Sequence, residues 1–308
     1  ADAPLLAILR ALRQNEISSR DLADAAIARH AAFGDRLNAY RMFLPEMARA
    51  RAEKADQAFA AGRDLGPLQG IPVSVKDLFG VAGLSTYAGT PQKLPPRWEQ
   101  EGPLVGRLQA QLGVIVGKSH TVEFALGGLG TNRHYGSPYN PWDDRDQRIS
   151  GGSSSGAGLS LLEGSAFVAL ASDTTGSVRM PASMTGTVGL MVSHGRWSTE
   201  GIVPVSPVLD APGLLTLTVA DLIPAFLALD SGTTHPWDEI AALQSRSLAG
   251  CRVGVPRRLF WDGCDPGIAE GVEAALAEIE AAGARLVPIE LPDPAAVYDM
   301  FQNGHLST

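Results

Sequence analysis

The chain has 308 residues, 45% hydrophobic and 19% charged, a balance that excludes a disordered polymer and leaves enough apolar side chain for a sizeable core. Its formal net charge of −8 argues against a general nucleic-acid or anionic-membrane surface and leaves a small-molecule site open. Cys251 and Cys264 are too few for a disulfide framework, no apolar run reaches the roughly 18 residues of a membrane span, and no signal-peptide core is visible, so a cytoplasmic protein with reduced thiols is expected.

The predicted elements begin with helices. Leu5, Leu6, Ile8, Leu9 and Leu12 recur at helical spacing, and Ser18-Ser19-Arg20-Asp21 supplies an N-cap with an acidic first turn for a helix running to about Ala32. A third, alanine-rich helix is predicted over 46–61, closed by the turn cluster Gly66-Pro67-Leu68-Gln69-Gly70. The texture then changes. Short runs rich in β-branched residues, at 71–75, 114–116 and 167–170, read as strands, with helices between them at about 103–112 and 159–163. A strand at 252–256, a helix at 268–282 and a strand at 285–289 follow. Strands alternating with helices predict an α/β fold, a mixed β-sheet core covered by helices. By length alone this is about two domains or one large unit.

Three segments carry chemistry. Ser150-Gly151-Gly152-Ser153-Ser154-Ser155-Gly156-Ala157-Gly158 admits three readings. As a Gly/Ser linker it is short and flanked by ordered-looking sequence. As a phosphate cradle it lacks the Gly-Lys-Ser/Thr of a P-loop. As part of a catalytic site it offers hydroxyls on a backbone free to adopt unusual conformations. Asp173-Thr174-Thr175-Gly176-Ser177-Val178-Arg179 directly follows a predicted strand, where small residues present backbone N–H groups and a hydroxyl in an accessible turn; an ordinary polar turn before a helix at Pro181 is the alternative. Finally, Gly70-Ile71-Pro72-Val73-Ser74-Val75-Lys76-Asp77 ends an apolar strand in a lysine. Such a lysine either snorkels to the surface or, if buried by neighbours such as Val73, Val75, Leu78 and Phe79, loses basicity and becomes available as a base.

Together these three blocks, with Gly195-Arg196, Gly201-Ile202-Val203-Pro204 and Leu209-Asp210, resemble the amidase signature family in order and approximate spacing. The resemblance runs from about Leu5 to Val219, with a continuation to Ile289. It implies one α/β domain, a mixed sheet with helices on both faces, occupying 1–308 with a helical N-terminal part over 1–65 and a catalytic core over 66–220. Because the family's chains are usually longer and this one stops at Gly304-His305-Leu306-Ser307-Thr308 without a terminal element, a domain incomplete at its C-terminus is expected.

The resemblance also implies roles. Ser177 matches the nucleophile that forms an acyl-enzyme, Ser153 the bridging serine that follows a cis peptide bond, and Lys76 the base; the two serines stand 24 residues apart, the family's usual spacing. The N–H groups of Thr174, Thr175, Gly176 and Ser177 match the oxyanion hole. Asp173 and Arg179 resemble a pair that steadies the nucleophile turn, a plain surface ion pair being the alternative. Gly127, Gly128 and Leu129 fall where the family's backbone lines the acyl side of the pocket, unless they are simply a loop, and Ser154 is grouped with them as substrate-binding. His120, His134 and His194 are not spaced as metal ligands.

The resemblance therefore implies hydrolysis of a small-molecule amide, with no metal, no cofactor, no direct nucleic-acid contact and no membrane, and with a homodimer left open. The glutaminase subunit of a glutamine-dependent tRNA amidotransferase is the alternative, and a non-catalytic binding protein the third reading. Two departures stand out. Thr175 occupies a position where glycine or alanine is frequent, which would crowd the oxyanion turn, and Met191 stands where lysine is common.

Overall fold

The computed structural model describes residues 4–230, 235–258, 260–291, 296 and 299. Helix α1 (Leu5–Arg13) turns Leu5, Leu9 and Leu12 inward, one stripe at helical spacing. Helix α2 (Ser19–Leu37) opens on the predicted cap: the Ser18 hydroxyl accepts the Asp21 N–H while the Asp21 carboxylate accepts the Ser18 N–H, a reciprocal capping box. It runs about five residues beyond the predicted end and closes on Asn38 in the left-handed conformation. Strand β1 (Tyr40–Phe43) follows, and α3 (Pro45–Ala60) buries Ala48, Ala52, Ala55 and Ala58 in a single stripe whose small side chains let the helix approach closely.

The next elements are β2 (Pro72–Lys76), α4 (Pro103–Ala110), β3 (Val114–Ser119), α5 (Ala157–Glu163), β4 (Val168–Asp173), α6 (Arg179–Thr185), β5 (Val188–Met191), β6 (Ala211–Thr216) and α7 (Val219–Leu229). The sheet order is β1-β3-β2-β4-β6-β5, with β2 parallel to both β3 and β4 and the remaining pairs antiparallel. This is the expected mixed sheet. Helices cover both faces, and strand alternation sorts the core accordingly. Val73, Val75, Ile115, Val168, Leu170 and Leu214 pack with α1, α4 and α7, whereas Val114, Val116, Ala169, Ala171 and Leu215 pack with α2, α3, α5 and α6.

Residues 1–240 form one compact unit and 241–308 a second. Helix α8 (Pro236–Gln244) spans the boundary. Within the second unit β7 (Arg252–Val255) pairs in parallel with β8 (Arg285–Pro288), and α9 (Pro266–Ala281) lies between them in sequence. The segment 304–308, on which the expectation of a missing terminal element rests, lies outside the described residues.

β1, β5, β6, α7 and α8 were not legible from local pattern. β6 contains Pro212 and Gly213, which usually disqualify a strand, and α7 carries Pro224 internally. Tertiary pairing overrides the first: β6 is fully buried between β4 and β5.

Candidate active site

Three chain segments converge at the C-terminal end of the parallel strands. β2 brings Lys76, β4 ends in Asp173 immediately before the Ser177 turn, and the glycine-serine run from Ser150 leads into α5. Within β2, Val73 and Val75 point into the core beneath α1, α4 and α7, so alternation turns Ser74 and Lys76 the other way. Ser74 meets Ser160 of α5 at 2.8 Å, and Lys76 reaches the glycine-serine run.

The Lys76 side chain is completely buried. Its Nζ lies 2.8 Å from Ser153 Oγ, 3.1 Å from Ser172 Oγ and 3.3 Å from the Ser172 carbonyl oxygen. Burial brings this amine from its ordinary 10.5 down to about 7, against the pull of the Asp173 and Asp210 carboxylates. Val73, Val75, Leu78 and Phe79 belong to the core beneath α1, α4 and α7, and the hydrogen-bond partners of the amine are hydroxyls and backbone of the serine segments.

Ser153 is also fully buried, and the Gly152–Ser153 peptide bond is cis. A side chain at Gly152 would stand 2.8 Å from the Gly127 carbonyl oxygen and the Gly130 nitrogen, so only glycine lets these backbones meet. Gly127 therefore does lie against the serine turn. Gly128 abuts the Met180 thioether, while the Leu129 side chain is 60% exposed. Ser154, expected to touch substrate, is spent elsewhere: it is fully buried, its hydroxyl donates to the Ser172 carbonyl (3.3 Å), and its N–H donates to the Ser177 carbonyl (3.3 Å). It links the two halves of the site.

Asp173 organises the turn that follows it. Its carboxylate accepts N–H groups from Gly176 (2.6 Å) and Val178 (3.1 Å) and pairs with Arg179 through Nε and Nη2, both at 3.0 Å. Burial pushes this carboxyl up, but Arg179 and the two N–H groups outweigh it, and its pKa lies below the ordinary carboxylate range. The buried carboxylate rules out a plain surface ion pair. It also corrects one expectation, because the Gly176 N–H is engaged by Asp173 and does not face an oxyanion. The N–H groups of Thr174, Thr175 and Ser177 have no acceptor among the described residues. The Thr175 side chain is exposed, so it does not crowd the turn. Ser177 is 6% exposed, and its hydroxyl makes no hydrogen bond among the described residues.

Two residues escaped the sequence reading. Ser172 holds Lys76 through both its hydroxyl and its carbonyl, and Asp210 accepts a hydrogen bond from the Thr174 hydroxyl. Ser172 gave a weak signal, as the residue just before the Asp173 block; Asp210 stood in a matching stretch with no role attached. Both line a cavity of about 530 Å³ whose walls are largely apolar, including Trp98, Ile202, Val203 and Pro207. Ser177 is not among its lining residues. Among the described residues no cluster of His, Cys, Asp or Glu could hold a metal ion, and no helix is long and apolar enough to cross a membrane.

A six-stranded mixed sheet with a buried lysine and two serine-bearing turns at its strand ends is the architecture the sequence motifs called for. The amidase family model matches residues 21–307, and the chain belongs to this family, the amidase signature family. It is 51% identical over 296 residues to 2-amino-5-chloromuconic acid deaminase of Comamonas testosteroni, covering 96% of this chain and 63% of that protein. It is 36% identical to a glutamyl-tRNA(Gln) amidotransferase subunit of Halorhodospira halophila, covering 93% of this chain and 60% of the relative. Its structure matches that of native peptide amidase from Stenotrophomonas maltophilia with a TM-score of 0.83 at 29% identity, covering 97% of this chain and 64% of that one. The chain thus spans roughly three fifths of the length of these relatives.

Proposed function

We propose that the protein hydrolyses the C–N bond of a small-molecule amide through an acyl-enzyme on Ser177, with Ser153 and Lys76 as the proton relay. One observation carries this reading: Lys76 is a completely buried amine, 2.8 Å from a serine hydroxyl and, among the described residues, without a carboxylate in contact, brought to about 7. At that value it exists substantially as free base near neutral pH, as a general base must. As neutral amine Lys76 accepts the Ser153 proton while Ser153 takes the proton of Ser177, whose oxygen attacks the amide carbon. The N–H groups of Thr174, Thr175 and Ser177, lacking acceptors among the described residues, are the ones suited to the developing oxyanion. The same relay, run backwards, protonates the departing nitrogen as the C–N bond breaks. Water then hydrolyses the acyl-enzyme, releasing acid and regenerating Ser177. Asp173 and Arg179 hold the turn in shape throughout.

The cavity beside Ser172 and Asp210 is the proposed seat of the substrate's apolar portion. Two unpaired cysteines fit the reducing cytoplasm in which we place the protein. The glutaminase alternative has less support, since the amidotransferase relative is 36% identical and the deaminase 51%.

The test is ammonia or amine release from a panel of aliphatic amides, aryl amides, glutamine and 2-amino-5-chloromuconic acid, with alcohol release from short esters measured beside it. Ser177→Ala is expected to lose at least about 10⁴-fold in kcat on every substrate turned over. Mass spectrometry should trap an acyl adduct on the parent protein and none on the variant. Turnover surviving in Ser177→Ala at the parent rate defeats the proposal, and activity confined to glutamine turns it toward the glutaminase.

A further inference from the structure

We infer that Asp210 is a positioning residue that ties the wall of the 530 Å³ cavity to the turn carrying Ser177. The inference rests on the relay proposed above. It begins with strand register. In the antiparallel pair β4–β6, Asp173 stands opposite Ala211, so Thr174 and Asp210 are the first residues beyond the end of the ladder and face each other there. Where the ladder stops, a side-chain bond continues it: the Thr174 hydroxyl donates to Asp210 Oδ1 at 2.5 Å.

The second carboxylate oxygen serves the other side. Asp210 Oδ2 accepts the N–H groups of Val205 (2.8 Å) and Ser206 (3.0 Å), and the Asp210 N–H donates back to the Ser206 carbonyl at 2.8 Å. Val205, Pro207 and Asp210 all line the cavity. One buried carboxylate therefore joins the cavity-wall loop to Thr174, whose own N–H is among those left without an acceptor in the nucleophile turn. A shift of the wall loop on substrate binding is passed directly to the oxyanion turn.

Charge gives Asp210 a second effect. The charged groups around Lys76 are Asp173 at the end of β4, Arg179 on α6, Asp210 before β6, and the pair formed by Asp77 after β2 with Lys118 on β3. Asp173 is paired with Arg179 and Asp77 with Lys118; Asp210 forms no ion pair among the described residues. Its donors are a hydroxyl and two amides, so its negative charge acts on Lys76 without a neighbouring cation to cancel it, and it raises the affinity of that amine for a proton.

Two variants separate the effects. Thr174→Val removes the hydroxyl at nearly constant shape and charge; kcat is expected to fall about ten- to a hundredfold, the rate equivalent of a hydrogen bond to a charged group, with the pH profile in place. Thr174→Ser should restore most of the rate. Asp210→Asn removes the charge, so Lys76 deprotonates more readily and the acidic limb of kcat/KM moves to lower pH, together with a loss in kcat that is not additive with that of Thr174→Val. Thermal unfolding of each variant checks that it folds. If Asp210→Asn does not fold, Thr174→Val and its serine rescue decide alone. Wild-type kcat in Thr174→Val, or an unmoved acidic limb in a folded Asp210→Asn, overturns the inference even while Ser177→Ala is inactive; an active Ser177→Ala would instead overturn the reading it rests on.

Discussion

Two lysines lie completely buried on neighbouring parallel strands, and their surroundings differ in one respect. Lys76, at the end of β2, meets two serine hydroxyls and a carbonyl oxygen. Lys118, near the end of β3, stands 3.0 Å from the Asp77 carboxylate, which is itself 1% exposed, and donates to the Thr86 hydroxyl at 2.9 Å. Burial depresses both amines, but for Lys118 the adjacent carboxylate opposes the shift directly. Burial alone does not make a lysine a base. A buried lysine with no carboxylate in contact keeps the low basicity that burial gives it, even with carboxylates further off, and suits the role of base proposed for Lys76, whereas the same residue with a carboxylate in contact becomes a structural tie. The Lys118–Asp77 pair is such a tie. Asp77 Oδ2 accepts the Tyr87 N–H and the Asp77 carbonyl accepts that of Ala88, so the pair fastens the segment after β2 to β3 just behind Lys76.

The contrast breaks most visibly by substitution. Lys76→Met is expected to lower kcat about 10²- to 10⁴-fold, the usual contribution of a general base, with little change in unfolding by urea. Lys118→Met should do the reverse: it strands a buried carboxylate and costs about 3–5 kcal/mol of stability, and Asp77→Asn in the same chain should recover most of that loss. Comparable rate losses in the two single variants, with comparable stability, would erase the distinction. The smallest effect concerns pH. Because protonated Lys76 cannot accept a proton, kcat/KM should rise with pH through about 7 and then level off. At pH 6 it should be about a tenth of its plateau, since the neutral fraction falls tenfold for each unit below the pKa. Asp77→Asn/Lys118→Met removes two opposite charges together and should move this limb less than Asp210→Asn does.

Much of the fold was readable locally. The leucine stripe of α1, the capping box of α2 and the β-branched runs of β2 and β3 each state their structure within a few residues. β6 was not readable, because its Pro212 and Gly213 argue locally against a strand, and it is the pairing with β4 over 211–215 and with β5 from Gly213 onward that makes it one. The site divides in the same way. Lys76, Ser153 and Ser177 stand out as candidates because each sits in a short block of unusual composition. The use of the Gly176 N–H was not legible, since nothing in Thr-Thr-Gly-Ser says which amide the preceding aspartate will take. Ser154 looked like a substrate contact and is a brace between Ser172 and Ser177.

By itself the sequence determined the inventory: an α/β chain of the amidase signature family, with its lysine, its two serines and the turn that carries the second one. Tertiary structure decided how far burial lowers the basicity of Lys76, which amides of the Ser177 turn lack an acceptor among the described residues and which residues support the site from outside the motifs. The reason is distance along the chain. Lys76 meets Ser153 across 77 residues and Ser172 across 96, and Thr174 meets Asp210 across 36. Burial and hydrogen-bond partners at such separations arise only when the strands are laid side by side, and they set the basicity on which the proposed chemistry depends.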